Sequence, residues 1–363
     1  MKNIILVYPA YERGGVKVNF LNYLNILKKK KFNIFIISDK KILKDIKKEK
    51  NIKLILINSP KISIFYKYIV SLSSSIKIFR LNKKLNDKNI KIISFQSSFF
   101  ASIICSILKL KLILRVSEDP IGATVHSDNM FLAIIVMLSK IITYNLSYKI
   151  LTNSKTMRAN TQKLTLDKKK VLLQYNMNLK SINKFKISHK KNIFLNVGRF
   201  CKQKNQSIIL EAFKLFISRN KEHKYKLYLC GDGPDTIKLK KLCNNLELNQ
   251  YVKFYSWKKN TIYLLKQSKY FLLTSLYEGL PNALIEAMNY DLLCLCSATS
   301  GIRDICGNNY VHLSKNDFKD ICFKMEFAKK NYDSLIIKNK INKNRLKKFL
   351  FKNFDKQLLN NIK

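Results

Sequence analysis

The amino-acid sequence predicts an α/β protein of two doubly wound domains facing a central cleft, and three observations carry that expectation. Short β-branched runs alternate with longer, lysine-studded amphipathic segments, the order expected of βαβ units that build a parallel sheet. The alternation pauses once, across the polar, basic stretch NMNLKSINKFKISHK at 176–190, and then starts again. The length of 363 residues fits about two domains at roughly 150 residues apiece. Sheets of this kind bind their ligands beyond the carboxyl ends of the strands.

In the first set, strands are expected at 3–7, 33–37, 53–57, 91–95, 111–116 and 149–152, each a short run dominated by Ile, Leu, Val or Phe. Between them, apolar residues recurring every three or four positions predict helices at 18–30, 98–108 and 130–144, with a further basic helix at 62–84. The first strand follows Met1 almost at once, so no signal peptide is expected. The second set has strands at 193–197, 226–230, 251–255, 270–274 and 292–296 and helices at 206–218, 234–246, 261–267 and 282–289. A long basic amphipathic segment, 334–362, ends the chain. The expected domains are 1–185 and 186–340. A terminal helix at 341–363 is expected to cross back over the first domain and bury Phe349, Phe351, Phe354, Leu358 and Leu359.

Composition narrows the function classes. Hydrophobic residues make up 47% and charged residues 25%, enough for a sizeable core and too apolar for a disordered chain. Lys and Arg number 69 and Asp and Glu 23, so 69 − 23 leaves a net charge of +46. Such a balance points to anionic partners: nucleic acid, anionic lipid or phosphorylated substrates. Lys, Asn and Ile recur everywhere, however, so a coding bias explains much of the charge. The eight cysteines sit mostly in apolar runs without any Cys-x-x-Cys, which reads as buried thiols in a reducing cytosol. The longest apolar stretches, 99–108 and 130–138, are too short to span a bilayer. The chain is expected to be soluble or peripheral.

Four motifs carry candidate chemistry. Arg13-Gly14-Gly15 follows the first strand, where adjacent glycines let amides approach an anion or a sugar; a tight strand–helix turn is the competing reading. Asp39 is the sole acid placed to meet a ribose in that domain. Gly198-Arg199 and Lys204-Asn205 put two cations five residues apart beside a helix start, a guanidinium for bidentate phosphate contact and an ammonium as a mobile point charge. Cys230-Gly231-Asp232-Gly233-Pro234 reads as a structural turn. The most specific motif runs from Glu278 to Ala287. Its two carboxylates, Glu278 and Glu286, straddle a helix N-terminus whose free amides and dipole suit a phosphate.

Three segments, GRFCKQKNQSIILEAF, LYLCGDGPDTIKLKKLCNNLELNQYVKFYSW and SKYFLLTSLYEGLPNALIEAM, resemble in order and spacing the donor domain of family-four retaining glycosyltransferases (glycosyl transferases group 1). That family has the GT-B fold of two Rossmann-like domains. VYPAYERGGVKVNFLNYLNIL, ILTNSKTM, LLQYNMN and SATSGIRDI are similar to its other landmarks, so the resemblance covers most of the chain. It implies an acceptor-binding first domain and a nucleotide-sugar-binding second domain. Arg199 and Lys204 match the pair that holds the diphosphate as it leaves, Glu286 the ribose carboxylate, and Glu278 the acid facing the transferred sugar. Gly15 matches the glycine loop near the donor phosphates, while Gly279, Leu280 and Asn282 complete the donor site. Where many members carry a histidine after the fifth strand, this chain reads RVSEDP at 115–120, with His126 following. That segment is similar to the Ser-Glu-Arg-Asn-Asp-Pro type of members transferring N-acetylhexosamines, two residues shorter. Glu118 and His126 are the acceptor or sugar candidates there.

The implied function is a retaining, metal-independent transfer of a sugar from a nucleoside diphosphate donor, a UDP-sugar, to a growing lipid-linked glycan of surface polysaccharide or lipopolysaccharide. No Asp-x-Asp element is present, and fixed cations would stand in for a metal. No cofactor and no nucleic acid are expected. The expected location is cytoplasmic, peripheral on the inner face of the membrane, with the basic helices at 18–31 and 62–84 suiting anionic lipid. Two alternatives compete: a non-catalytic nucleic-acid or membrane-surface binding protein, and a GT-B-like sugar-nucleotide epimerase.

Overall fold

The computed structural model describes residues 2–11, 14–46, 49–58, 66–87, 89–183, 190–221, 224–256, 261–307, 310–314 and 316–362, with the backbone alone at 339–342 and 352–353. Arg13, the start of the expected helix at 62–84, positions 184–189 of the expected linker and Lys363 lie outside these residues. The chain forms two compact units, Met1–Met177 with Lys352–Lys363, and Asn178–Phe351. These division points, 177/178 and 351/352, stand beside expected boundaries of 185/186 and 340/341.

The first unit is built on a parallel sheet of β1 (Asn3–Tyr8), β2 (Asn33–Asp39), β3 (Ile52–Ile57), β4 (Lys91–Ser94), β5 (Lys111–Arg115), β6 (Lys149–Thr152) and β7 (Val171–Leu173). Their order is β3-β2-β1-β4-β5-β6-β7. In register, Ile5 of β1 lies between Phe35 of β2 and Ile92 of β4, and Ile4, Ile5, Leu6 and Val7 are all fully buried. A strand covered on both faces reads as a continuous apolar run, which is why β1 was legible. The order reverses between β1 and β4, so the loop after β1 opens at the switch point. Helices α1 (Gly15–Lys29), α2 (Tyr66–Leu85), α3 (Phe99–Ile107), α4 (Pro120–Val125), α5 (Met130–Leu146) and α6 (Lys155–Lys163) link the strands. One expectation for α1 is overturned. Phe20, Tyr23, Leu24 and Leu27 are buried, so its apolar stripe serves the core and is not a free lipid-facing surface.

The second unit repeats the plan with β8 (Lys191–Val197), β9 (Lys226–Cys230), β10 (Val252–Tyr255), β11 (Ser268–Leu273), β12 (Leu293–Ser297) and β13 (Val311–Leu313). The order β10-β9-β8-β11-β12-β13 reverses between β8 and β11, so the carboxyl ends of those two strands are neighbours. Helices α7 (Gln206–Arg219), α8 (Thr236–Asn245), α9 (Ile262–Gln267), α10 (Asn282–Asn289), α11 (Ile302–Cys306) and α12 (Phe318–Lys330) fill the connections. The edge strands β7 and β13, three residues each, were not expected from sequence: too short for an alternation to show.

The expected amphipathic run at 334–362 is not one helix. It comprises α13 (Tyr332–Ile341), a 3-10 segment (Asn342–Phe349) and α14 (Phe351–Ile362). The break has a backbone cause. Asn178 and Leu179 donate their N–H groups to the Phe349 carbonyl, and Phe351 N–H donates to Leu179, so these groups bond sideways instead of along a helix. α14 then packs in the first unit through Phe354, Leu358 and Ile362, with Phe354 5.4 Å from the Tyr23 ring. Lys149 Nζ and Lys91 Nζ bond the carbonyls of Asn361 and Ile362 at its carboxyl end, where cations meet the helix dipole favourably.

Candidate functional site

The turns after β8 and β9 run side by side in the second unit. Gly198 N–H donates to Cys230 O at 3.0 Å, Phe200 N–H to Asp232 O at 3.0 Å, and Asp235 N–H to Phe200 O at 3.1 Å. Contact this close excludes side chains. A Cβ on Gly231 would stand 1.8 Å from the Gly198 carbonyl oxygen, and one on Gly233 2.2 Å from that of Phe200. The glycine turn is therefore a packing device that fixes the platform from which Arg199 projects.

Arg199 is exposed, and its carbonyl accepts from the buried Gln206 side chain at 3.0 Å. A 3-10 turn, Lys202–Lys204, follows, closed by Asn205 in the left-handed region at φ 50. The turn is tied to the loop after β11. Thr274 Oγ1 donates to the carbonyls of Lys204 and Asn205 at 3.1 and 3.0 Å, and Gln203 bonds Leu276 N–H and Tyr277 O at 2.8 and 2.9 Å. These bonds lay the Lys204 side chain across Gly198, whose added Cβ would stand 3.6 Å from the Lys204 Cε. The ammonium reaches Glu278 Oε1 in an ion pair, and Ser275 Oγ donates to the same oxygen at 2.7 Å. Glu278 is almost wholly buried. A carboxylate so placed needs its cation, because removal from water otherwise disfavours the charge.

The loop continues through Gly279 and Leu280, both buried, into α10. Gly301, at φ 82, brings a second loop against it; a Cβ there would stand 2.8 Å from Gly279 O. Pro281 precedes Asn282 and, as the N-cap residue of α10, offers no side-chain cap. Asn282 Oδ1 accepts from Asn178 Nδ2 at 3.1 Å. Glu286 lies one turn inside the helix. Burial pushes its carboxyl above the usual carboxylate range, and a hydrogen bond from Thr261 Oγ1, at 3.5 Å, offsets part of that rise.

Gly15, Glu118 and His126 belong to the first unit. Gly15 is the exposed first residue of α1, and Gly14 before it has φ 141, a conformation that demands glycine although space for a Cβ is open. Asp39 is not available to a ribose. It accepts from Tyr11 N–H and Lys41 N–H at 3.2 and 2.8 Å and caps the turn after β2. In the segment at 115–120, Arg115 is buried and donates to Asn176 Oδ1 at 2.5 Å and Leu151 O at 3.3 Å. Asp119 caps α4 and accepts twice from Asn160. Glu118 alone of the three charged residues is exposed, and His126 ends α4, half-buried.

The structure thus joins Lys204 to Glu278 directly and places Gly279, Leu280, Asn282 and Glu286 on the same loop and helix. Sequence reasoning missed Thr274, Ser275, Gln203 and Thr261, which orient those side chains. Hydroxyl residues at the end of an apolar strand, three and four positions before Glu278, were the available signal for the first two.

Residues 178–348 match the family model described as glycosyl transferases group 1. Along most of its length the chain is similar to the capsular polysaccharide biosynthesis glycosyltransferase CapH of Staphylococcus aureus, 26% identical over 345 residues, covering 93% of this chain and 90% of that protein. An uncharacterised glycosyltransferase of Methanocaldococcus jannaschii is 37% identical over 114 residues, a stretch spanning 31% of this chain and 28% of that relative. The UDP-Gal:alpha-D-GlcNAc-diphosphoundecaprenol alpha-1,3-galactosyltransferase of Escherichia coli is 34% identical over 127 residues, 35% of this chain and 31% of that protein. Among solved structures, HepE of Anabaena in complex with UDP and glucose superposes with a TM-score of 0.74 at 14% identity, covering 99% of both chains.

Proposed function

We propose a function from the premise that this chain carries a glycosyl transferases group 1 domain at residues 178–348 within a GT-B fold. The chain is a glycosyltransferase that moves a sugar from a nucleoside diphosphate donor to a lipid-linked glycan of capsule or lipopolysaccharide. The second unit holds the donor and the first unit the acceptor. The observation that carries this reading is the pair of half-buried Lys204 with buried Glu278, beside a helix that Pro281 leaves without a side-chain cap and that bears Glu286. A paired cation, a helix N-terminus and a desolvated carboxylate are the three groups a nucleoside diphosphate sugar requires. Neither a purely binding protein nor an epimerase accounts for them together with the family match.

In this mechanism the anomeric carbon–oxygen bond to the diphosphate lengthens, and negative charge grows on the leaving group. Arg199, Lys204 and the backbone N–H groups of Gly279 and Leu280, with the start of α10, receive it, the transition-state role of preorganised donors. Lys204 is the hinge of the arrangement, because it already neutralises Glu278 and can share its protons with a phosphate. Glu278, held by Ser275, faces the positive charge developing at the sugar. Glu286 accepts from ribose hydroxyls, and Gly15, by its resemblance to the family's glycine loop, is the first unit's candidate for contact with the donor. The transfer retains configuration without an assigned protein nucleophile, and fixed cations serve in place of a divalent metal. A UDP-sugar is favoured by the UDP-Gal donor of the Escherichia coli relative and by the UDP in HepE, and the segment from Arg115 to Pro120 favours an N-acetylhexosamine. Glu118 and His126 would contact sugar or acceptor. The diphosphoundecaprenol acceptor of that relative supports a lipid-linked acceptor at the cytoplasmic membrane face.

A panel of sugar nucleotides, assayed for nucleoside diphosphate release with and without polyprenyl-diphosphate glycans, tests the reading. One donor should release diphosphate in step with a lipid-linked acceptor. Conversion of the sugar nucleotide without diphosphate release would point to an epimerase, and no turnover with any donor would leave only a binding protein.

A further inference from the structure

The first unit carries an apolar surface that its own core does not use. On α2, Ile69, Leu72, Ile76 and Phe79 are exposed at spacings of three and four, one stripe of a helix whose opposite side, with Val70, Ser74, Ile78 and Leu81, is buried. On α5, Phe131, Ile134, Leu138 and Ile142 repeat the pattern, with Phe131 74% exposed and Leu138 55% exposed. The two helices adjoin. α3 packs against both, Tyr68 Oη bonds Ser139 Oγ at 3.1 Å, and Ile107 at the end of α3 is 69% exposed. Scattered exposed apolar residues need no explanation, but a patch across neighbouring helices is an interaction surface.

Charge selects the occupant. α2 carries Lys67, Lys77, Arg80, Lys83 and Lys84 and no carboxylate, α3 carries no charge, and α5 carries Lys140 alone. Glu118, the buried Asp119 and Asp128 lie in the loops flanking α4. A second copy of this chain seated on the same patch would bring five like charges against five. A fluid anionic sheet has the opposite sign everywhere and an apolar layer beneath it. Among the described residues no helix is long and apolar enough to cross a membrane, so this face would lie on a bilayer and not span it.

We propose that the α2–α3–α5 face is a bilayer-docking surface, with the exposed side chains of α2 and α5 entering the headgroup–acyl boundary and the α2 cations contacting anionic lipid phosphates. α5 was legible in the sequence as an apolar run too short to span; the structure shows that one side of it is exposed. The proposal rests on the glycosyltransferase reading only for its purpose, which is to bring the chain to a lipid-linked acceptor.

Co-sedimentation with phosphatidylcholine vesicles, with and without phosphatidylglycerol, tests it. The intact chain should bind the anionic vesicles at low salt. The variant Phe131→Ser/Ile134→Ser/Leu138→Ser should lose about tenfold or more in partitioning, and Lys83→Glu/Lys84→Glu should lose binding chiefly at low salt. Ile237→Ser, an equally exposed apolar residue of α8, should change nothing. Binding of UDP to each variant is the control for the donor site. All should bind UDP as the parent does, so a failure of UDP binding counts against the enzyme reading and not against this surface. Undiminished vesicle binding by the triple variant, or lipid-free self-association that the triple variant abolishes, would overturn the proposal.

Discussion

Glutamine at position 286 should make the unliganded protein more stable and the liganded one weaker. In the folded chain the Glu286 carboxyl is raised above its ordinary value by burial. An acid with a raised folded-state pKa binds its proton more readily folded than unfolded. Its contribution to stability is full below the unfolded value and is lost as pH rises through the folded one. At neutral pH the ionised carboxylate is therefore a cost to folding, and the neutral amide of Glu286→Gln removes it, so the melting temperature without ligand should rise. Binding moves the other way. Among the described residues, only the weak 3.5 Å bond from Thr261 occupies the carboxylate, leaving lone pairs for two ribose hydroxyls. Glutamine can accept for one of them. One lost charge-assisted bond is worth about 1.5–3 kcal/mol, or about 10- to 150-fold in UDP affinity at 1.36 kcal/mol per decade. For the parent protein, UDP affinity should also fall as pH is lowered from neutrality through the raised value at which this carboxyl takes up its proton, and it should fall much less in the variant. Titration calorimetry across that range, beside thermal melts of the free proteins, decides the matter. Unchanged UDP affinity, or a lowered melting temperature, would refute the ribose assignment.

Glu278→Gln should leave UDP affinity nearly unchanged, since the product lacks the sugar this carboxylate faces, while sugar transfer slows; loss of UDP affinity in calorimetry would count against the assignment. Arg199→Ala and Lys204→Ala should each lower turnover by roughly 10²–10³, the scale of one transition-state donor, and steady-state rates with the true donor check this. Lys204→Ala should in addition destabilise the fold by about 3 kcal/mol in denaturant unfolding, because Glu278 is then left buried without its cation. Gly231→Ala should destabilise by about 1–3 kcal/mol, since its methyl group would meet the Gly198 carbonyl at 1.8 Å, and a melt without ligand measures it.

Much of the donor site was readable because its parts are contiguous in the chain. Glu278, Pro281 and Glu286 announce a loop, a helix start and a carboxylate one turn inside, and local chemistry is sufficient to say what such an end of a helix can hold. The strands were readable because a doubly covered parallel sheet demands uninterrupted apolar runs, as in β1 and β9. Legibility failed where an element is short or where its fate depends on distant backbone. β7 and β13 have three residues each, and the segment at 334–362 breaks at Phe349 because Asn178 and Leu179, some 170 positions earlier, take its carbonyl.

The sequence by itself determined the α/β class, the two-part organisation and the identity of the charged residues on the donor loop, because periodicity and turn chemistry are properties of neighbours along the chain. Tertiary structure alone decided what those residues do for one another. Lys204 and Glu278 are 74 positions apart and meet only because the sheet order reverses between β8 and β11. Asp39 looked free to bind a ribose and is taken by its own turn. α1 and α5 both carry apolar stripes in the sequence, yet the α1 stripe is buried in the core while one side of α5 faces outward. A stripe records that a helix has an apolar side; which surface that side meets is set by the neighbours the fold supplies.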